Sequence, residues 1–302
     1  MESLVSILIP TRNRPALLIK AVKSALAQTY KQIEIVITDN SDIDQSSALK
    51  YLIEDKRVSY IKNLDNIGPI LNWRKALECS SGRYCLILPD DDYLLNPFYI
   101  EDAVKILNDE KVSLVVPNCI LSYPEIQIIG KSGHQGYIGG QDFIRAGLHI
   151  PHIGNIFRKE IALRLNAFHS NDILWSDIEL WRRMMSIGGV YCYSIPSVLY
   201  LFHNSNIVLN MTRSELIVNS RFIRSSVESF ADENLIYDLV FSYICAIDGL
   251  GVKVDSDFLK SVMKKNNIEN SFALMYLNLL RRRRQNNTKA LIRSIRKIKF
   301  FS

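Results

Sequence analysis

Apolar residues in the first 117 positions fall into short β-branched runs that alternate with stretches of helical spacing. Residues 4–9 form the first run, stopped by Pro10. Residues 15–28 follow, with Leu17, Leu18, Val22, Ala25 and Leu26 on one helix face. Residues 33–38 predict a second strand closing on Asp39, Asn40, Ser41 and Asp42, a set that favours turns and caps. A helix over 46–55, a strand over 58–62, a helix over 70–79, a strand over 83–88, a helix over 96–107 and a strand over 112–116 continue the alternation. This order predicts an α/β fold, a parallel sheet covered by helices, with ligands beyond the carboxyl ends of the strands.

The pattern changes after Val116. Residues 118–150 read as irregular, with a glycine-rich loop over 130–140. Stretches 153–157 and 190–202 look extended, and 177–187 helical. From Thr212 the spacing is helical to the end, which predicts a smaller second subdomain. The expected division is 1–205 (halves 1–117 and 118–205) and 206–302.

The predicted carboxyl ends carry the polar chemistry. Pro10, Thr11, Arg12 and Asn13 follow strand one, Asp39 and Asn40 strand two, and 63–66 strand three. Asp90, Asp91 and Asp92 follow strand four. Carboxylates this close repel unless a cation neutralises them. A small set of hard oxygens suits Mg²⁺ or Mn²⁺, which take further ligands from a substrate's phosphates. An acidic turn capping the next helix is the plain alternative.

Composition narrows the class. At 302 residues, 48% hydrophobic and 23% charged, the chain matches an ordinary globular enzyme. No secretory leader and no membrane-length apolar run is read. The five cysteines lack metal-type spacing and predict reduced thiols in the cytoplasm. Net charge is +6, yet nine Lys or Arg and no acid lie after position 280. Subtracting those nine leaves −3 for the body. A basic face interleaved with aromatics is missing from the body, so no nucleic-acid partner is predicted.

Six segments in order then resemble the family 2 glycosyltransferases. Val5–Arg14 resembles their opening strand and nucleotide loop, and Glu34–Ser41 the second strand with the acid that contacts the base. Asn66-Ile67-Gly68 with Asn72 is similar to their Asn-x-Gly segment. Leu88–Leu94 resembles the metal-binding acidic motif, Trp175–Trp181 the acceptor-side acidic motif and Tyr200–His203 the final histidine motif. The resemblance covers the chain from Val5 to about His203. It implies the GT-A fold, a Rossmann-like, mostly parallel sheet with flanking helices, here followed by a helical C-terminal region. It also implies sugar transfer from a nucleoside-diphosphate sugar, most often a UDP-sugar, with inversion. The implied acceptor is a glycan or lipid-linked glycan in bacterial surface polysaccharide or lipopolysaccharide assembly. Pro89 stands where the family often has an acid, and Ser176 where it often has Glu. These departures leave Asp91, then Asp92, as the favoured metal ligands, and Asp177 as the base with Glu179 as fallback.

Roles follow for each residue. Asp39 accepts from a base's N–H edge, while Pro10, Thr11, Arg12 and Asn13 frame base and ribose. Asn66, Asn72 and Asp90 line the donor, and Asp91, Asp92 and His203 hold Mn²⁺ or Mg²⁺ against the diphosphate. Asp177 takes the acceptor's proton. Plainer readings stand beside these. Asp39 and Asp177 could only cap helices, and Asn66 and Asn72 could be turn and helix-surface residues. Arg12 could be a solvated charge, and Arg14 reads as one. His134, His149, His152 and His169 match no motif. Trp73, Trp175 and Trp181 read as core, although Trp175 could stack on an acceptor ring. Residues 289–301 place Leu291, Ile292, Ile295 and Ile298 on a stripe flanked by basic side chains. Such a helix can lie on an anionic membrane, at the inner face of the cytoplasmic membrane.

Other functions fit less well. A sugar-nucleotide nucleotidyltransferase or a dehydrogenase wants a glycine-rich loop after strand one, and 10–15 has no glycine. A response-regulator-like module would be less than half this length. An inactive carbohydrate-binding relative would share the pocket without releasing nucleoside diphosphate.

Overall fold

The computed structural model describes residues 2–148, 150, 153–170, 174–203, 210–230, 232, 235–249 and 252–268. The chain divides into two compact units, Met1–Phe202 and His203–Ser302.

In the first unit the strands are β1 (Val5–Thr11), β2 (Ile33–Asp39), β3 (Val58–Lys62), β4 (Tyr84–Ile87), β5 (Tyr93–Leu94), β6 (Val112–Ser122), β7 (Gln127–Gly130), β8 (Gly136–Ile138), β9 (Ile156–Arg158) and β10 (Gly189–Leu201). Helices α1 (Pro15–Leu26), α2 (Lys50–Ile53), α3 (Pro69–Cys79), α4 (Tyr99–Leu107), α5 (Gly140–Arg145), α6 (Lys159–Arg164) and α7 (Ser176–Met184) connect them. One ten-stranded sheet runs β3-β2-β1-β4-β9-β6-β10-β5, with β7 on β6 and β8 on β10. β1, β2, β3 and β4 are mutually parallel, as are β6 and β10. β9 is antiparallel to both β4 and β6, and β5 to β10.

The alternation predicted over the first 116 residues is present, with informative differences. β1 runs through Pro10 to Thr11. Its pairing with β4 has already ended at Leu8↔Ile87, so the missing proline N–H costs no ladder bond. β6 likewise runs through Pro117 to Ser122, and its register against β10 shifts where Pro117 meets Tyr193. The helix expected over 46–55 is a 3₁₀ turn, Ser46–Leu49, followed by α2. The helix expected from 96 starts at Tyr99, because the Asn96 side chain accepts the Phe98 N–H in a turn at 3.1 Å. Residues 118–150, expected to be irregular, hold the end of β6, the β6–β7 hairpin, β8 and α5.

Burial explains the parallel half. All seven residues of β1 are buried, and Val5, Ile7 and Ile9 pack with Ile35, Ile37, Leu86, Leu18 and Val22 in the main core. Glu34 is tied at its edge, accepting from Ser6 Oγ at 2.6 Å and from the Gly82 N–H at 3.1 Å. Tyr99 OH donates to the Gly154 carbonyl at 2.7 Å, fixing the chain that leads into β9.

The second unit contains α8 (Arg213–Asn219), α9 (Phe222–Val227), α10 (Leu235–Gly249) and α11 (Ser256–Lys265). Thr212 and Glu215 form a capping box on α8, and Asp255 caps α11 and pairs with Arg213. The basic helix expected over 289–301, and His149 and His152, lie outside the described residues. Among the described residues no helix is long and apolar enough to cross a membrane.

Candidate active site

Parallel pairing lines up the ends of the first strands. Thr11 is in register with Asp39, and Asp39 with Lys62. The next residues along the chain form the rim. Asn13 adopts φ 57, a left-handed conformation that asparagine tolerates. Its N–H donates to Ser41 Oγ at 2.7 Å, and its side chain bonds Asp42 twice, Nδ2 to Oδ2 at 2.8 Å and Oδ1 from the Asp42 N–H at 3.0 Å. Asn13 therefore clamps the loop after β1 to the loop after β2. Arg12 stays exposed and pairs with Asp42 at 3.4 Å.

Asp39 is fully buried and already engaged. Its Oδ1 accepts the Ser41 N–H at 2.7 Å and its Oδ2 accepts Tyr60 OH at 2.5 Å. Burial, then the bond to Asp39, pushes the Tyr60 hydroxyl pKa up, so it remains a donor. Beneath this rim Asn72 donates to the Thr38 carbonyl at 2.9 Å, and Asn63 donates to Asn72 Oδ1 and Asn40 Oδ1, each at 2.8 Å. Asn72 thus sits in a buried amide network. Asn66 is exposed, and its Oδ1 accepts the Gly68 N–H at 3.1 Å where the chain turns into α3.

The acid run follows β4. Thr11 Oγ1 donates to Asp90 Oδ2 at 2.6 Å, joining the first and fourth strand ends by a buried charge-assisted bond. Burial, then the Asp91 charge, raises Asp90 to about 6, against the pull of Thr11 and Arg14. Arg14 is not a solvated charge. Its Nη1 lies 3.2 Å from Asp90 Oδ1 and 2.7 Å from Asp91 Oδ2. Asp92 is buried at 1% exposure, and its Oδ1 accepts the Leu201 N–H at 3.0 Å. Its Oδ2 is buried with no hydrogen-bond partner, and burial followed by Asp91 holds its pKa well above the ordinary range.

Asp177 opens α7, buried, with Oδ1 accepting the Ile178 N–H at 2.8 Å. Burial raises it to about 7, the range in which a carboxylate serves as a base near neutral pH. Glu179 is also buried and pairs with Arg183 at 3.8 Å. Tyr200 lies near the end of β10. Its hydroxyl is pushed up by burial and then by the negative charges of Asp92, Asp91 and Asp177. Tyr60 was missed from sequence because only the sheet brings it to Asp39, and Tyr200 was quoted within the histidine motif without a role of its own. Trp181 packs on Phe157, their ring centroids 5.0 Å apart, and both Trp175 and Trp181 are buried. His203 begins the second unit, so the expectation for it is not carried into this site.

Among the described residues no three His, Cys, Asp or Glu side chains group as a metal site. The donor set still suits a divalent ion that takes few protein ligands. Asp91 and Asp92 supply hard oxygens, and the partnerless Asp92 Oδ2 is a buried oxygen with lone pairs to give.

A parallel half-sheet with an acid-lined rim, and a buried carboxylate on a separate helix, is an arrangement able to hold a ligand at the strand ends and to accept a proton. The profile of glycosyl transferase family 2 matches residues 6–165, and the chain belongs to that family, with the GT-A fold. The GalNAc(5)-diNAcBac-PP-undecaprenol beta-1,3-glucosyltransferase of Campylobacter jejuni is 26% identical over 217 residues, covering 70% of this chain and 69% of its own. The crystal structure of S. aureus TarS 1–349 in complex with UDP-GlcNAc is similar at TM-score 0.68 and 13% identity, over 99% of this chain and 93% of that one. The mannosyltransferase PcManGT of Pyrobaculum calidifontis, with GDP-Man and Mn²⁺, is similar at TM-score 0.55 and 16% identity, over 94% and 81%. At these identities both structures speak to the fold.

Proposed function

We propose that this glycosyltransferase moves a sugar from a nucleoside-diphosphate sugar, a UDP-sugar, to a hydroxyl of a glycan or lipid-linked glycan, inverting the anomeric centre, in bacterial surface-glycan assembly. The observation that carries this reading is the buried acid run after β4, tied by Thr11 and Arg14 to the end of β1, together with the buried Asp177 poised at about 7 on a separate helix. Support for the donor comes from TarS with UDP-GlcNAc, and for the acceptor from the undecaprenol-linked substrate in the Campylobacter relative's name.

Asp177 takes the acceptor's O–H proton as the oxygen attacks the anomeric carbon. The bond from that carbon to the diphosphate oxygen breaks, and its electron pair leaves with the nucleoside diphosphate. A Mn²⁺ or Mg²⁺ ion on Asp91 and Asp92, when bound, offsets charge building on the diphosphate. Asp90 holds Thr11 and Arg12 at the nucleotide side through bonds of 2.6 and 3.4 Å. Asp39, fixed by Tyr60 and Ser41, is oriented for the base, and Asn13 keeps the two nucleotide loops together. The basic segment 289–301 would bring the enzyme to an anionic membrane carrying its acceptor.

The test is a panel of nucleotide sugars with Mn²⁺ or Mg²⁺ and a polyprenyl-diphosphate glycan acceptor, read as release of free nucleoside diphosphate. Release that requires both metal and acceptor supports the reading. No release from any donor, with thermal stabilisation by sugars alone, would identify an inactive carbohydrate-binding relative.

A further inference from the structure

Arg14 carries no assigned role in the reaction above, yet it lies against two of the site's acids, Asp90 and Asp91. Its side chain is 29% exposed and reaches an acid run 76 residues further along the chain. The backbone here is anchored, because the Arg14 carbonyl accepts the Leu17 and Leu18 N–H groups at 3.1 and 3.0 Å as α1 starts. The guanidinium is therefore the part that can move.

We propose that Arg14 is an internal counter-ion that competes with the divalent cation for Asp91, and that its guanidinium passes to the donor's diphosphate when cation and donor bind together. The inference takes Asp91 as a cation ligand from the reading above. Asp91 Oδ2 lies 2.7 Å from the guanidinium, and a divalent ion on that carboxylate would place two cations on one group. Repulsion between them favours withdrawal of the one on a flexible stem. Asp92 Oδ2 needs no such release, since nothing occupies it. A diphosphate offers the displaced planar guanidinium paired oxygens that it can grip bidentately. Cation and donor then help each other bind, by reciprocal coupling. Without donor, Arg14 keeps the acids paired and holds off stray metal.

The experiment measures free Mn²⁺ by electron paramagnetic resonance with the full-length protein, alone and with UDP or GDP. Wild type should bind Mn²⁺ weakly alone and at least about tenfold more tightly with nucleotide. Arg14→Met should bind Mn²⁺ alone roughly tenfold more tightly than wild type, and lose most of the gain from nucleotide. Arg14→Lys, which keeps the charge, should stay near wild type in the absence of nucleotide. Should the methionine variant fail to fold by near-ultraviolet circular dichroism, Arg14→Gln carries the same expectation. A neutral variant that binds Mn²⁺ alone no more tightly than wild type, and gains as much from nucleotide, overturns the competition while leaving the cation site intact. Absence of Mn²⁺ uptake by every variant, with or without nucleotide, removes the cation site and the competition together.

Discussion

Replacing Asp177 by Asn should abolish transfer and stabilise the fold at neutral pH. The Asp177 carboxyl is buried, its Oδ1 accepts the Ile178 N–H, and burial raises it to about 7 from an ordinary 3.8. An unfolded chain loses this proton near pH 4, whereas the folded chain keeps it until about pH 7. Stability contributed by the group is therefore complete below pH 4, falls as pH rises to about 7, and is level beyond. Each pH unit in that window costs about 1.36 kcal/mol, so the ceiling is on the order of 4 kcal/mol. Asparagine keeps the shape and the acceptor oxygen without the charge. Urea unfolding at a series of pH values from 4.5 to 8 would show it, since the wild-type-to-variant difference isolates this one group. The variant's advantage should grow with pH by up to that ceiling and then stop. In parallel, wild-type turnover should climb with pH through about 7 as the base loses its proton. A stability difference that stays flat with pH would refute the burial argument. Full turnover by the variant would move the base to Glu179.

Three further outcomes are expected. Asp91→Asn should weaken Mn²⁺-dependent UDP binding by at least the roughly 10–100-fold that loss of a metal site's supporting partner costs, read by calorimetry with and without metal. Tyr60→Phe should cost about 1–3 kcal/mol in urea unfolding, because it leaves Asp39 Oδ2 buried without its donor; a loss below about 0.5 kcal/mol would mean that water replaces the hydroxyl. Gly154→Ala should cost about 2–4 kcal/mol by thermal melting, since φ is +75 there and a Cβ would run into the Val198 side chain.

Periodicity revealed the first five long strands and their helices because each apolar run lies in one continuous segment. Proline misled the boundaries. Pro10 was read as a stop and the fifth strand was ended at Val116, yet Pro10 and Pro117 each fall where the ladder has ended or shifts register, a property of the neighbouring strand. Residues 153–157 looked extended, but nothing local told that β9 inserts antiparallel between β4 and β6. The same limit governed the site. The aspartates and Asn13 were legible as turn-forming polar residues at strand ends. Arg14 was misread because its partners, Asp90 and Asp91, lie 76 and 77 residues away. The helix-surface alternative for Asn72 does not hold, because Asn63 and Thr38 bury it with partners that only sheet packing supplies.

The place of β9 bears on how the protein is made. Because β6 never touches β4 directly, a nascent chain that has left the ribosome only as far as Ser122 carries two apolar strands with no bridge between them. The facing edges of β4 and β6 stay open until Ile156–Arg158 emerges and slots in, and the far edge of β6 until Gly189–Leu201 follows, leaving a window in which stalled or truncated products would pair with one another. Chaperone dependence during synthesis should therefore fall in two steps, first as that keystone emerges and then as β10 covers the far edge of β6.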